Sequence, residues 1–402
     1  MAAGLLGPWS LQDPVGWFDD LTLDYNAEAN YWGAASANRL DAMLPYFATM
    51  DAMVPVCERR AALKDWSRGG HGSSATWGQQ TDMMGCGPEA WAAMTRCPTG
   101  MGGYEGMECP SSMAAFPGIY TGHDASTRFV AALMSTPYIE YYEFSQDLEF
   151  LNKSAYPFVR NVAEFYASYA VKNSSEPGRY DLRYTCAQEV CEWRQHGNQQ
   201  HVNHNSLIDI SHAIMTLNTA ARWSEVLGVD DAARSRWLMI ANALPRYPST
   251  KDTTALAHGP AGVPVPGSPP RRVWSEAWYV AQSRPTERLE VAPFDTNYMF
   301  PIIHFAGIHP CGLVGLHSNQ IRPTDHATVL ATAIATVWGD NERSGWHPVN
   351  GLCLAWPSAT RVTNGSEPGH GAALLDRFEH ALNVTMQAMG SYMHFEFQEM
   401  DR

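Results

Sequence analysis

The sequence predicts an all-α fold, a helical barrel or toroid whose helices are joined by long irregular loops. Three observations carry that expectation. Apolar residues recur at helical spacing in one segment after another, no strand alternation lasts more than a few residues, and aromatic residues gather near the loops. In chain order, Asn30–Met50 reads as one helix carrying Tyr31, Ala34, Ala35, Leu40, Met43 and Leu44. In Ala155–Lys172, Phe158, Val162, Phe165 and Tyr169 recur at i, i+4, i+7 and i+11, one face of an amphipathic helix. Ser206–Leu227 repeats the spacing with Ile210, Ile214, Leu217 and Ala221; Asn205 or Ser206 fits an N-cap and Gly228 a C-cap. Asp230–Leu244, Asp325–Trp338 and Gly369–Met389 read as further helices. Between them lie two expected loop insertions, about 68–124, dense in Gly, Met, Cys and Pro, and 258–272, with five prolines and three glycines. Loops of that length in a compact domain are usually functional or disordered.

Composition excludes several function classes. The chain has 402 residues, enough for two or three domains or one large one, and 45% of them are hydrophobic while only 17% are charged. That combination argues against disorder. With 27 Lys+Arg against 41 Asp+Glu, the net charge of −14 opposes nucleic-acid binding and polybasic membrane attachment. No apolar run approaches the ~18 residues that a membrane span needs. The excess is aromatic, with 14 Trp, 17 Tyr and 14 Phe, a composition suited to neutral, hydroxyl-rich ligands. The N-terminus lacks the basic and apolar regions of a signal peptide. Sequons at Asn152, Asn173, Asn364 and Asn383, together with eight cysteines and no CxxC pair, nevertheless point to a secretory or extracellular setting.

Three constellations have chemical potential. Asp24-Tyr-Asn-Ala-Glu-Ala-Asn-Tyr-Trp32 lies at a loop-to-helix junction. In an extended stretch Asp24 and Asn26 would share a face and hold a water between them; the plainer alternative is that one of them caps the helix. In Arg183-Tyr-Thr-Cys-Ala-Gln-Glu-Val-Cys-Glu-Trp193, Glu189 and Glu192 sit in and beside a short Cys-to-Cys span flanked by aromatics. Desolvation there would raise a carboxyl pKa toward that of a general acid; otherwise these are solvated loop carboxylates. His196, His201 and His204 follow in a Gln/Asn-rich run without metal-ligand spacing, so ligand hydroxyls suit them better than zinc. No metal and no cofactor are expected. Acyl transfer, nucleotide chemistry and zinc proteolysis lose ground for want of GxSxG, a phosphate loop or HExxH.

Taken together, these segments resemble the catalytic domain of glycoside hydrolase family 95, the α-L-fucosidase and α-L-galactosidase family. Gly7-Pro-Trp-Ser and Trp17 stand where its entry segment would lie, and Asn26-Ala-Glu-Ala-Asn-Tyr-Trp32 is similar to its "NxNxxMNYW" segment. Tyr142-Glu-Phe-Ser-Gln-Asp147, Phe150-Leu-Asn-Lys-Ser-Ala-Tyr-Pro-Phe158 and Ala163-Glu-Phe165 resemble "HYxFTxDxxFLxxxAYPxxxxxAEF", the most specific of the matches. Glu225-Val-Leu-Gly-Val-Asp230, Ile308-His-Pro-Cys311 and Ser344-Gly-Trp346 follow in the family's order. The resemblance implies a single (α/α)6 barrel over 1–402 and hydrolysis of an α-L-fucoside or related α-L-galactoside with inversion. It places the general acid at Glu189 and the water-holding pair at Asp24 and Asn26, with Tyr31, Trp32 and His304 shaping the sugar site. An oligosaccharide or polysaccharide is then the expected partner.

The sequence departs from the family at three points. An aspartate, Asp24, replaces the family's water-activating asparagine. Phe300-Pro301 stands where the family has the Arg-His pair that reads fucose, leaving His304 of that segment. No "DGNxG"-like segment precedes Arg402, and the family's N-terminal β-sandwich is absent, so an isolated and incomplete barrel is expected. The rival expectation is a catalytically inactive, carbohydrate-binding remnant. A toroidal lyase or phosphorylase is a third, for which no arginine or phosphate site stands out.

Overall fold

A computed structural model of the chain describes residues 21–23, 26–63, 80–81, 128–173, 176–182, 185, 192–195, 199–251, 272–275, 277–281, 290–291, 306–314, 328–329 and 332. Helix dominates these residues, in line with an all-α chain, and the strands among them are two to six residues long. The chain divides into two compact units. The first comprises Met1–Asn205, His212–Pro245 and Ala281–Ser283; the second comprises Ser206–Ser211, Arg246–Val280 and Arg284–Arg402.

In the first unit a short strand β1 (Leu21–Thr22) pairs antiparallel with β2 (Gln80–Thr81). A helical turn α1 (Asn26–Ala29) follows β1, and consecutive tight turns carry the chain to Asn38, which is left-handed at φ 56°. The single helix expected over Asn30–Met50 is therefore split. A 3-10 turn (Leu40–Met43) leads into α2 (Leu44–Leu63), with Pro45 in the first turn, where its missing N–H costs nothing. Asn38 breaks the helical path that the apolar spacing alone would have continued.

Two helices that apolar periodicity did not single out come next, α3 (Val130–Leu133) and α4 (Thr136–Ser145), the latter with Pro137 in its first turn. Gln146 ends α4 in the left-handed conformation. Asp147 then caps α5 (Leu148–Phe150), its Oδ1 accepting from the N–H groups of Glu149 and Phe150 at 2.9 and 3.0 Å. A π-turn over Leu151–Ala155 continues into α6 (Tyr156–Tyr169), close to the expected Ala155–Lys172. Its predicted face is buried, with Phe158, Val162, Phe165 and Tyr169 all 3% exposed or less.

The core of this unit is aromatic. Tyr138 of α4 stacks on Phe158 of α6 at 4.6 Å and 16°, and Phe47 of α2 lies 4.7 Å from Tyr138 and 4.8 Å from Phe150. Each such pair adds about 0.5–1.5 kcal/mol beyond the area it buries.

Two hairpins follow α6. Strand β3 (Val171–Lys172) pairs with β4 (Tyr180–Asp181), and β5 (Glu192–Gln195) pairs with β6 (Gln199–His204). Helix α7 (Leu207–Leu227) starts where expected, with Ser206 Oγ accepting from the Asp209 N–H at 3.1 Å, and ends at Gly228, φ 67°. One amphipathic face was expected; instead every residue from Leu207 to Leu217 is buried. Its hydroxyls turn back into the helix, Ser211 Oγ donating to Leu207 O and Thr216 Oγ1 to His212 O, both at 2.8 Å. Such back-bonding hides polar groups from an apolar surround, so the polar letters did not mark a solvent face. Helix α8 (Asp231–Ala243) matches the expected Asp230–Leu244. Asp230, left-handed at φ 55°, is held by Arg160 Nε and the Tyr156 hydroxyl of α6, both at 2.7 Å.

In the second unit β7 (Ser249–Lys251) pairs with β8 (Arg272–Trp274), and β9 (Trp278–Ala281), all but Ala281 of that unit, pairs with β10 (Glu290–Val291). Tyr247 meets Trp274 edge-on at 5.1 Å. Thr328, Val329 and Thr332 are helical, within the expected Asp325–Trp338, and Thr332 Oγ1 donates to Thr328 O at 2.8 Å. The expected helix Gly369–Met389 lies outside the described residues. So do the two loop insertions, apart from Gln80–Thr81 and Arg272.

Gly307 packs against Tyr247 so closely that a Cβ would stand 2.6 Å from the phenol oxygen. Gly307→Ala is expected to destabilise by about 1–3 kcal/mol, the usual cost of overpacking. Adding Tyr247→Phe should recover part of the lost denaturation midpoint. A second expectation concerns Asp230, whose carboxyl is held below the usual carboxylate range, chiefly by the Arg160 hydrogen bond. A carboxyl with a depressed folded pKa stabilises above its ordinary pKa and loses that contribution as pH falls through the depressed value. Asp230→Asn should therefore cost about 0.5–1 kcal/mol near neutrality, and the gap from the parent should close on titration below about pH 4.

Candidate active site

Of the six residues singled out in the sequence, the structure describes the side chains of two, Tyr31 and Trp32. Asn26 is described in its backbone alone, as the first residue of α1, so the extended alternation proposed for Asp24 and Asn26 does not continue through Asn26. Asp24, Glu189 and His304 lie outside the described residues.

The turn that carries Tyr31 and Trp32 is built on α2 and α4. The Tyr31 N–H donates to Glu28 O at 2.9 Å, and the Ala34 N–H to Tyr31 O at 2.9 Å, which sets both aromatic residues on a run of tight turns. The Tyr31 ring lies 4.9 Å from Tyr46 of α2. Trp32 Nε1 donates to Thr136 Oγ1 at 3.2 Å, and that hydroxyl donates onward to Leu133 O at 2.8 Å. Both rings are half-buried. They have fixed orientations and retain accessible surface, which is what an aromatic platform for a pyranose needs.

Beneath this turn lies a buried polar layer that the sequence reading missed. Glu28 is wholly buried, and its carboxylate adds to the effect of burial in pushing the Tyr46 phenol well up. The Tyr46 hydroxyl donates to Met134 O at 3.0 Å. Tyr138 donates to Asp51 Oδ1 at 2.7 Å, and Ser154 donates to Asp51 Oδ2 at 2.6 Å. Burial first, and Asp51 second, raise the Tyr138 phenol far above its ordinary range. Both phenols therefore remain neutral donors wherever the protein is folded, and α2, α4 and the π-turn are tied through one carboxylate. Glu28 stood inside the quoted Asn26–Trp32 motif; an acidic residue flanked by alanines at the start of a helix reads as a first-turn charge, which concealed its burial.

The span expected to carry the acid is framed by described residues on both sides. Leu182 and Thr185 are buried before it. After it, β5 and β6 pair in the register Glu192↔Val202, Trp193↔His201, Arg194↔Gln200 and Gln195↔Gln199. Asn205 joins its two ends. The Asn205 N–H donates to Leu182 O at 2.7 Å, and Asn205 Oδ1 accepts from the Leu182 N–H at 2.6 Å. Its Nδ2 donates to Asp181 Oδ1 at 3.1 Å, while Asp181 Oδ2 accepts from Asn173 Nδ2 at 3.0 Å. Of the histidine run, His201 pairs with Trp193 across the hairpin, His204 is buried at the end of β6, and His196 lies outside the described residues. Among the described residues no group of three His, Cys, Asp or Glu side chains is placed to hold a metal ion, and no helix is long and apolar enough to cross a membrane.

Tyr138→Phe should remove one of the two bonds to the half-buried Asp51 and cost about 1–2 kcal/mol, read as a lower urea midpoint with an unchanged slope. A midpoint equal to that of the parent would show that Asp51 draws its stabilisation from elsewhere.

The family model described as the glycosyl hydrolase family 95 catalytic domain matches residues 99–256. No curated protein matches the chain. The matched residues include the Tyr142–Phe158 segment, Glu189, Asn205 and the α7–α8 pair; Asp24, Asn26, Tyr31, Trp32 and His304 fall outside them. Over residues 99–256 the chain is thus similar to a glycosidase catalytic domain, which points to hydrolase chemistry on a carbohydrate.

Proposed function

We propose that the protein is an inverting glycoside hydrolase, built as an (α/α)6 barrel, that cleaves an α-L-fucoside or related α-L-galactoside bond of an oligosaccharide or polysaccharide. The observation that carries this reading is the family-model match over residues 99–256, a stretch that contains Glu189 and its frame. The aromatic turn of Tyr31 and Trp32, oriented by Tyr46 and Thr136, adds a surface suited to the sugar. The sequons and cysteine usage favour a secretory setting, and Asn152 is exposed on the π-turn.

In this mechanism Glu189 protonates the glycosidic oxygen as the bond to the anomeric carbon breaks. A water on the opposite face attacks that carbon and gives up its proton. Asp24 takes this proton as general base while the Asn26 amide orients the water; the two carboxyl groups would stand about 6.5–9.5 Å apart, leaving room for the water. Tyr31 and Trp32 supply the aromatic contacts to the sugar. Phe300-Pro301, in place of a cationic fucose-reading pair, favours a second reading in which the chain binds glycans without turning them over.

The test is hydrolysis of aryl α-L-fucoside, α-L-galactoside, α-D-glucoside and β-D-galactoside by the parent, Glu189→Gln and Asp24→Asn. The proposal expects one α-L-glycoside to be preferred, with kcat falling about 10²–10⁴-fold in Glu189→Gln and a comparable loss in Asp24→Asn. Asp24→Asn with full activity would make Asp24 a water-holder rather than the base. Parent-like turnover by Glu189→Gln would remove Glu189 as the acid, and saturable sugar binding with no turnover would establish the binding-only reading.

A further inference from the structure

Two of the four sequons have an acceptor asparagine among the described residues, and the fold treats the two amides differently. Asn152-Lys-Ser154 lies in the π-turn between α5 and α6. Leu151 and Ala155 are buried there, while Asn152 and Lys153 stand exposed between them. Lys153 is engaged one turn back, its Nζ donating to Glu149 Oε1 at 2.7 Å. No hydrogen bond among the described residues uses the Asn152 amide, so the fold loses nothing when one Nδ2 proton is replaced.

Asn173-Ser-Ser175 begins directly after β3, and its amide is already in use. Asn173 Nδ2 donates to Asp181 Oδ2 at 3.0 Å, and Oδ1 accepts from the Glu176 N–H at 2.9 Å. The Asn173 backbone N–H donates to Arg179 O at 2.9 Å, fixing the residue across the β3–β4 hairpin. Asp181 is 3% exposed, and its other oxygen accepts from Asn205 Nδ2 at 3.1 Å. A sugar on Asn173 Nδ2 would press a bulky, hydrated ring against a buried carboxylate and its hydrogen bond.

We propose that Asn152 is an N-glycosylation site and that the folded protein carries no glycan on Asn173. The bond formed joins Asn152 Nδ2 to the anomeric carbon of the first sugar of an oligosaccharide. The bond broken joins that carbon to the terminal phosphate oxygen of a polyprenyl diphosphate carrier, which leaves with the electron pair while the amide gives up one proton. This rests on the secretory setting, which supplies both that carrier and the transferase.

The Ser154 hydroxyl then has two successive tasks. A sequon needs a hydroxyl at its third position, yet in the folded chain that hydroxyl donates to Asp51 Oδ2 at 2.6 Å. Asp51 belongs to α2, which is synthesised before the π-turn. Transfer to Asn152 therefore competes with the docking of Ser154 on Asp51 and precedes it.

The test expresses the full chain behind a cleavable secretory leader in a eukaryotic host, as the parent, Asn152→Gln, Asn173→Gln and Ser154→Ala. Secreted protein with a cooperative urea transition is treated with peptide N-glycosidase in heavy-oxygen water, which turns each glycosylated asparagine into a heavy aspartate; a sample without enzyme corrects for spontaneous deamidation. The heavy label should fall on Asn152 and not on Asn173. Asn152→Gln and Ser154→Ala should each lose one glycan in intact mass, and Asn173→Gln none. After deglycosylation Asn152→Gln should keep the parent's urea midpoint, while Ser154→Ala should show a lower one because Asp51 loses a donor.

An unlabelled Asn152, or a labelled Asn173 in protein that unfolds cooperatively, overturns the inference. A parent-like midpoint in Ser154→Ala overturns the double use of the hydroxyl; if that variant is not secreted, Asn152→Gln decides the site alone. The leader supplies the route, so these outcomes bear on the site and not on where the protein resides. Protein from its own source with an unmodified Asn152, beside a labelled Asn152 in the routed chain, overturns the secretory setting and with it the modification in the native protein.

Discussion

Tyr138 lies wholly inside the helical unit, and its hydroxyl must find a partner there, since an unsatisfied buried hydroxyl costs more than a satisfied one contributes. Asp51 provides that partner, and Ser154 takes the other oxygen. Through that one carboxylate three pieces of chain distant in sequence acquire a fixed relation: α2, α4 and the turn entering α6. The aromatic stack of Phe47, Tyr138, Phe150 and Phe158 forms around the same point. The stack supplies part of the apolar burial, and the hydrogen bonds restrict how it can be assembled.

The same constraint recurs wherever the molecule positions something of functional interest. Tyr46, buried below Tyr31, donates a hydrogen bond to the Met134 carbonyl. Trp32 gives its N–H to Thr136, at the head of α4. Asn205 satisfies both backbone groups of Leu182 and one oxygen of Asp181. In each case a buried or half-buried side chain has its polar tip satisfied, which orders a segment without a regular ladder.

Helix was legible in the sequence where one face only is buried. The spacing of Phe158, Val162, Phe165 and Tyr169 located α6, and Gly228 marked the end of α7. Legibility failed where local chemistry overruled periodicity. Asn38 turns the chain in the middle of an apolar pattern, splitting Asn30–Met50 into turns and a later helix. In α7 the hydroxyls bond back to the helix itself, so a helix buried on every side over its first eleven residues read as amphipathic. The residues proposed for the site stand out in the sequence as motifs, but the residues that hold Tyr31 and Trp32 do not. Glu28 reads as an ordinary helix-start charge, and Asn205 as one of two N-cap candidates; only three-dimensional proximity to Tyr46, Leu182 and Asp181 gives them other roles.

The central claim is that this scaffold directs a water to the face of a sugar opposite the departing oxygen. Proton NMR of the first sugar released from the preferred α-L-glycoside, recorded before mutarotation, addresses it most directly. The account predicts the β-anomer as the initial product. Initial appearance of the α-anomer would contradict single-displacement inversion and, with it, the assigned roles of Asp24, Asn26 and Glu189.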